Sequence, residues 1–132
     1  MRLTSTIPST IGLLTNLLSL DMTDNMITGT LPPTIGSLSK LLYLELDLNS
    51  LTGTIPSKIG LLTNLLTLSL SANQIVGSIP DSIESMLNLQ SLLLHDNLLT
   101  GTMPDSIGSF MKLQYSYVKK NLLTGRTTSI SL

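Results

Sequence analysis

The sequence contains no cysteine and no tryptophan, and aromatic residues make up only 3% of it. Without cysteine there are no disulfide caps, no thiolate nucleophile and no Cys-based metal site. The shortage of aromatics removes the stacking platforms on which nucleic acids are held and requires any core to be aliphatic. Charge is sparse as well. Seven basic residues against eight acidic ones leave a net charge of -1, which gives no field to attract nucleic acid or an anionic membrane. Long hydrophobic runs are also missing: polar residues interrupt every leucine cluster, so no stretch reaches the roughly 20 apolar residues of a membrane span. The segment from Met1 to Pro8 has no apolar run of signal-peptide length.

What the chain does have is a repeat. Asn25, Asn49, Asn73, Asn97 and Asn121 recur every 24 residues, and the other landmarks keep that register. Pro8, Pro32, Pro56, Pro80 and Pro104 form one row, and Gly29, Gly53, Gly77, Gly101 and Gly125 another, with Ser5 in the equivalent place of a first, partial repeat. Apolar rows run through the same register. One is Leu17, Leu41, Leu65, Leu89 and Leu113, and a second is Leu14, Leu38, Leu62, Met86 and Phe110, which makes the single Phe a core filler. A third, Leu20, Leu44, Leu68 and Leu92, is broken by Ser116, so the fifth repeat is expected to have a looser core. A fixed period of this length means one supersecondary unit stacked on itself. The 132 residues therefore form a single solenoid of about five repeats, and both ends read as cuts through a repeat without caps.

Within each repeat, alternating residues such as Leu68 and Leu70 point inward and Ser69 points out, the pattern of a short strand. Stacked repeats place these strands in parallel, roughly 4.8 Å apart. The Asn amide both donates and accepts, so a row of Asn can satisfy backbone groups buried in the turn that follows. After it comes Leu51-Thr52-Gly53-Thr54-Ile55-Pro56. Its Gly permits a bend, its Thr residues favour a short second sheet, and its Pro ends strand pairing. The stretch from Ser57 to Leu62 then turns the chain along the outer side as a helical or 3-10 piece.

These residues resemble the plant-type leucine-rich repeat, whose pattern is similar to LxxLxxLxLxxNxLxGxIPxxIGx. The match runs from about residue 3 to 125 and is nearly letter for letter from Ile59 to Asn73. The resemblance implies an α/β repeat solenoid: a right-handed coil with a parallel concave sheet, a short second sheet and short helical or 3-10 convex segments. The family includes ectodomains of receptor-like kinases and receptor-like proteins and inhibitors of polygalacturonases, and its ligands commonly meet the concave face. The chain departs from the family's ectodomains in lacking a signal peptide, Cys-paired caps and any Asn-x-Ser/Thr acceptor. An extracellular or cell-surface place, as part of a longer protein, is what the resemblance implies.

In a repeat protein, function is sought where outward positions disagree. The three outward strand rows read Ser19, Tyr43, Thr67, Ser91, Tyr115; then Asp21, Glu45, Ser69, Leu93, Tyr117; then Thr23, Asp47, Ser71, His95, Lys119. All three Tyr residues fall here, and Tyr is favoured at interfaces for its rigid apolar body and polar tip. Acidic Asp21, Asp24, Glu45 and Asp47 gather on the first strands, whereas Lys119 and Lys120 lie on the last, so the face is polarised and would orient a complementary partner. The expected partner-binding residues are Asp21, Tyr43, Glu45, Asp47, Ser69, Ser71, Leu93, His95, Tyr115, Tyr117 and Lys119; Asn25, Asn49, Asn73, Asn97 and Asn121 form a structural ladder.

No cation-binding loop, phosphate loop, kinase signature or nucleophile elbow is present. His95 is the only His, and no serine–base pairing can be read from the sequence. No metal, cofactor, enzymatic activity, nucleic acid or membrane span is therefore expected. The expected function is non-catalytic recognition of a protein or peptide ligand on the concave face, with a glycan as a further candidate. Three alternatives compete with it. They are inhibition of a cell-wall-degrading enzyme, ice binding through the Thr-x-Thr ladder of Thr4-Ser5-Thr6, Thr28-Gly29-Thr30, Thr52-Gly53-Thr54 and Thr100-Gly101-Thr102 (broken by Val76-Gly77-Ser78), and a spacer within a longer solenoid.

Overall fold

In the computed structural model, residues 1–109, 112–125 and 130–131 are described. The chain winds through five coils that each repeat one itinerary. Five three-residue strands, β2 (Ser19–Asp21), β4 (Tyr43–Glu45), β5 (Thr67–Ser69), β7 (Ser91–Leu93) and β9 (Tyr115–Tyr117), pair in parallel. Their register offset equals the sequence period, so Leu20, Leu44, Leu68, Leu92 and Ser116 stand directly opposite one another. A two-residue strand, β10 (Ile130–Ser131), joins the sheet beyond β9 but runs antiparallel, with Ile130 opposite Ser116. That strand departs from the all-parallel sheet expected from the repeat.

The inward residues form one continuous core. Leu38, Leu41, Leu44, Leu62, Leu65, Leu68, Leu89 and Leu92 are fully buried, and each such side chain contributes about 2 kcal/mol of burial. The end coils depart from this: Leu14 is 51% exposed although its row-mates Leu38, Leu62 and Met86 are buried, and Leu17 is only partly covered. At the other end Ser116 is fully buried, and its hydroxyl has no hydrogen-bond partner. The expectation for Phe110 lies outside the described residues.

Beyond each strand, the residue before the Asn takes a left-handed backbone conformation. In five consecutive coils that residue is Asp24, Leu48, Ala72, Asp96 or Lys120. The turn this creates aims carbonyl groups at the Asn amide. Asn73 Nδ2 donates to the carbonyls of Leu46, Leu70 and Ser71 at 3.0–3.2 Å, and its Oδ1 accepts from the backbone N–H of Leu51 at 2.9 Å. Asn97 repeats the pattern one coil on.

The flank carries the second sheet as two short pieces and single bridges: β1 (Thr4–Thr6) pairs with β3 (Met26–Thr28), and β6 (Val76–Ser78) with β8 (Leu98–Thr100). Its register differs from that of the concave sheet. Thr6 faces Thr28, Thr30 faces Thr52, Thr54 faces Val76 and Ser78 faces Thr100, an offset of 22 rather than 24. Among the described residues, five 3-10 segments, η1 (Ser9–Leu13), η2 (Pro33–Ser37), η3 (Ser57–Leu61), η4 (Asp81–Ser85) and η5 (Asp105–Ser109), follow the prolines along the convex side. Ile35 and Ile59 anchor the second and third of them in the core. Among the described residues, no helix is long and apolar enough to cross a membrane.

Candidate functional site

The concave face is three rows wide: two rows are outward side chains of the five parallel strands, and the third stands two residues beyond each strand's end. Because the register is the repeat period, the central row reads straight across the sheet as Asp21, Glu45, Ser69, Leu93, Tyr117. It passes from acidic through small to apolar and aromatic.

The residues expected to make contacts divide into two groups. Tyr43, Tyr115 and Tyr117 are each about two-fifths exposed, Asp21 and Lys119 are exposed, and Glu45, Asp47, Leu93 and His95 are half-buried. Ser69 and Ser71 need correction: each is only 3% exposed. Both hydroxyls bond sideways along the face, to larger side chains of neighbouring coils. The Ser69 hydroxyl donates to Asp47 Oδ1, which also accepts from the backbone N–H of Ser71 at 2.9 Å. On the far side the Ser71 hydroxyl is 2.9 Å from His95 Nδ1. Both serines therefore serve to hold the larger neighbours Asp47 and His95.

The serine–histidine contact did not show in the sequence, where Ser71 and His95 stand 24 residues apart. The contact of the buried Ser71 hydroxyl with Nδ1 restrains the position of the imidazole ring. The Tyr117 ring meets the imidazole edge-on, at 6.3 Å between centroids and 76° between planes. Beside it lies a hollow of about 430 Å³ lined by Leu93, His95, Asp96, Tyr117, Lys119 and Lys120. Asp96 and Lys120 were not among the expected site residues. Both precede an Asn and sit in the left-handed turn, which swings them to the rim of the sheet, where their side chains pair at 3.3 Å.

At the opposite pole the acidic residues part company. Asp24 is paired with Arg2 at 2.8 Å, and Asp47 is held by the two serines. Asp21 and Glu45 stay on the open face. The backbone N–H of Thr23, 2.9 Å from Asp21 Oδ1, and the Thr23 side chain hold the Asp21 carboxyl below its ordinary pKa. Glu45 moves the other way: partial burial, then the charges of Asp21 and Asp47, raise it. Among the described residues, no group of three or more His, Cys, Asp or Glu side chains could hold a metal ion.

A second regular surface lies on the flank. Thr4, Thr6, Thr28, Thr30, Thr52, Thr54, Thr100, Thr102 and Thr124 are all exposed there. Each methyl of Thr6, Thr30 and Thr54 lies over a glycine of the following coil; a Cβ on Gly53, for example, would come within 2.6 Å of Thr30 Cγ2. The two-residue slip means that paired threonines come from different positions of the repeat. The ladder is therefore slanted, not square as the period alone implies.

The family model of the Leucine Rich Repeat matches residues 16–38, 64–86 and 88–110. No curated protein sequence gives a significant match. Solved structures are similar over most of the chain. One is the leucine-rich-repeat ectodomain of the plant membrane receptor kinase GASSHO1/SCHENGEN3 from Arabidopsis thaliana, in complex with CASPARIAN STRIP INTEGRITY FACTOR 2. It is 38% identical with a TM-score of 0.90, over 92% of this chain and 15% of that one. Another is the Arabidopsis receptor kinase HAESA in complex with the peptide hormone IDA and the co-receptor SERK1, 38% identical with a TM-score of 0.89, over 94% of this chain and 21% of that one. A third is a plant ice-binding protein, 36% identical with a TM-score of 0.86, over 92% of this chain and 40% of that one. The chain thus spans less than half the length of each. Its repeat pattern, its stacked coils and these likenesses together make it a member of the leucine-rich repeat family, of the plant type.

Proposed function

We propose that this chain is a non-catalytic recognition module that binds a protein or peptide partner on its concave face, as part of a longer receptor-like protein at or outside the cell surface. The observation that carries the reading is the hollow between Leu93 and Tyr117, with His95 held in place by Ser71 and Lys119 at its edge. A fixed ring beside apolar walls offers contact area at little entropic cost, which is what an interface anchor needs. The receptor ectodomains to which the chain is similar include two in complex with CASPARIAN STRIP INTEGRITY FACTOR 2 and with a peptide hormone, which supports the same reading. Affinity capture from a plant extract, comparing the native chain with a Tyr43→Ala plus His95→Ala variant, tests it. A partner retained by the native chain and lost by the variant is expected. Equal capture by both overturns the reading.

A second reading is ice binding through the flank. It is favoured by the exposed threonine rows, which carry no charged side chain, and by the likeness to a plant ice-binding protein. Thermal hysteresis of the purified chain, lost in a Thr30→Tyr plus Thr54→Tyr variant, is the expected sign. No hysteresis in the native chain rejects it.

A further inference from the structure

The concave face is polarised along one line, and its charges differ in whether they already have partners. Three of its acids are tied to a cation or to a neighbouring coil, whereas Asp21 accepts only within its own turn, from Thr23. Asp24 pairs with Arg2, Asp96 with Lys120, and Asp47 with the Ser69 hydroxyl and the Ser71 backbone. Asp21 and Glu45 face each other on adjacent strands, and among the described residues no Lys or Arg pairs with either. Like charges at that separation repel, and Glu45 registers it in a carboxyl raised by partial burial and by its two acidic neighbours. A cation arriving from outside would relieve this repulsion. At the other end of the line, Leu93 and Tyr117 wall the hollow, and Lys119 stands exposed without an acid partner among the described residues. Between the two poles Ser69 and Ser71 present only small side chains, each 3% exposed, so a backbone crossing there meets no large side chain of β5.

We propose that the concave face takes an extended peptide segment that crosses the strands with a Lys or Arg side chain over Asp21 and Glu45 and an apolar side chain in the hollow between Leu93 and Tyr117. This rests on the concave-face reading and adds the partner's chemistry and direction to it. From the Asp21–Glu45 pair to the hollow is about three strand steps, roughly 14 Å at 4.8 Å per step, which an extended chain covers in about four residues. The segment is therefore a basic residue followed or preceded, about four positions away, by a hydrophobic one. Any acidic group of the partner falls at the Lys119 end. The stretch over β5 contributes mainly backbone, because only small side chains lie beneath it.

A random peptide library displayed on phage, selected against the purified chain, reads this out. Selected peptides are expected to share a Lys or Arg about four positions from a Leu, Ile, Val, Phe or Met. A synthetic peptide of the selected sequence should bind about fivefold more weakly to an Asp21→Asn plus Glu45→Gln variant, and more weakly at higher salt. Leu93→Ser should weaken it through the apolar position alone, so that peptides with Ala there no longer distinguish the variant from the native chain. Selected peptides that lose binding on Tyr43→Ala plus His95→Ala, yet show no basic residue at that spacing and no response to Asp21→Asn plus Glu45→Gln, overturn the polarity and leave the concave face as the binding surface. A selection that yields no peptide sensitive to any concave-face substitution overturns both.

Discussion

Leu51 and Asn73 are 22 positions apart in sequence and are joined by a buried hydrogen bond of 2.9 Å, from the backbone N–H of Leu51 to Oδ1 of Asn73. The same amide donates to three carbonyls, so one side chain serves backbone groups of two coils. Buried peptide groups left without partners cost about 1–3 kcal/mol each.

Replacing this amide therefore should cost more than replacing its counterpart at the N-terminal end. Asn73→Ala is expected to lower stability by about 3 kcal/mol and Asn25→Ala by about 1 kcal/mol, because Asn25 and its partners are largely solvated. Urea unfolding of both variants measures the difference. Equal losses would show that burial does not set the ladder's worth.

Close stacking on the convex side depends on a different row. A Cβ on Gly60 would lie 2.4 Å from the carbonyl oxygen of Ser82 and 2.7 Å from its Cβ, and neither can move without shifting the next coil. Gly60→Ala is expected to cost about 3 kcal/mol by overpacking. The repeat places Glu84 in this same row, and a cleft of about 300 Å³ opens beside it, lined by Asp81, Glu84, Thr102, Met103, Pro104 and Asp105. A thermal melt in which Gly60→Ala matches the native protein would refute the steric account.

Ser116 occupies the position held by leucine in four preceding coils, fully buried and with an unpartnered hydroxyl. Removing that oxygen leaves nothing unsatisfied. Ser116→Ala is expected to raise stability by about 1 kcal/mol, read from the midpoint of denaturant unfolding. A loss of stability would mean that the hydroxyl is hydrogen-bonded in solution.

Glu45 supplies a pH test. Its carboxyl pKa is raised in the folded chain, so the folded state holds that proton more tightly than the unfolded one, and ionised Glu45 opposes folding. Glu45→Gln should therefore raise Tm at neutral pH. As pH falls through the raised pKa the native side chain is protonated too, and the advantage should shrink to nothing. Asp21 has the opposite sign: its lowered pKa gives stability present at neutral pH and lost as pH falls through that lowered value. An advantage of Glu45→Gln that persists in acid would show that charge is not its source.

Much of this architecture could be read in the sequence because a fixed period converts position into place. Leu44 and Leu68 share a row and are both fully buried, and Tyr43 and Tyr117 occupy outward positions and are exposed. The period failed where a side chain's size or torsion decides. Ser69 and Ser71 are outward by parity, but they are too short to rise between Asp47 and His95. Nothing in the sequence singled out Asp96, and Lys120 stood out only as a charge on the last strand, whereas the left-handed conformation before each Asn carries both to the edge of the hollow.

The repeat, the inward and outward rows and the Asn ladder follow from the order of amino acids alone, since an even register and alternating polarity leave each row only one side of a strand to occupy. How neighbouring coils slide depends instead on the folded packing. The concave strands pair at the full period and the flank strands two residues short of it. Both offsets are even, so each keeps the same side chains outward, and no pattern of apolar and polar residues can tell them apart. That slip, and the contact of Ser71 with His95, come from the packing of one whole coil against the next.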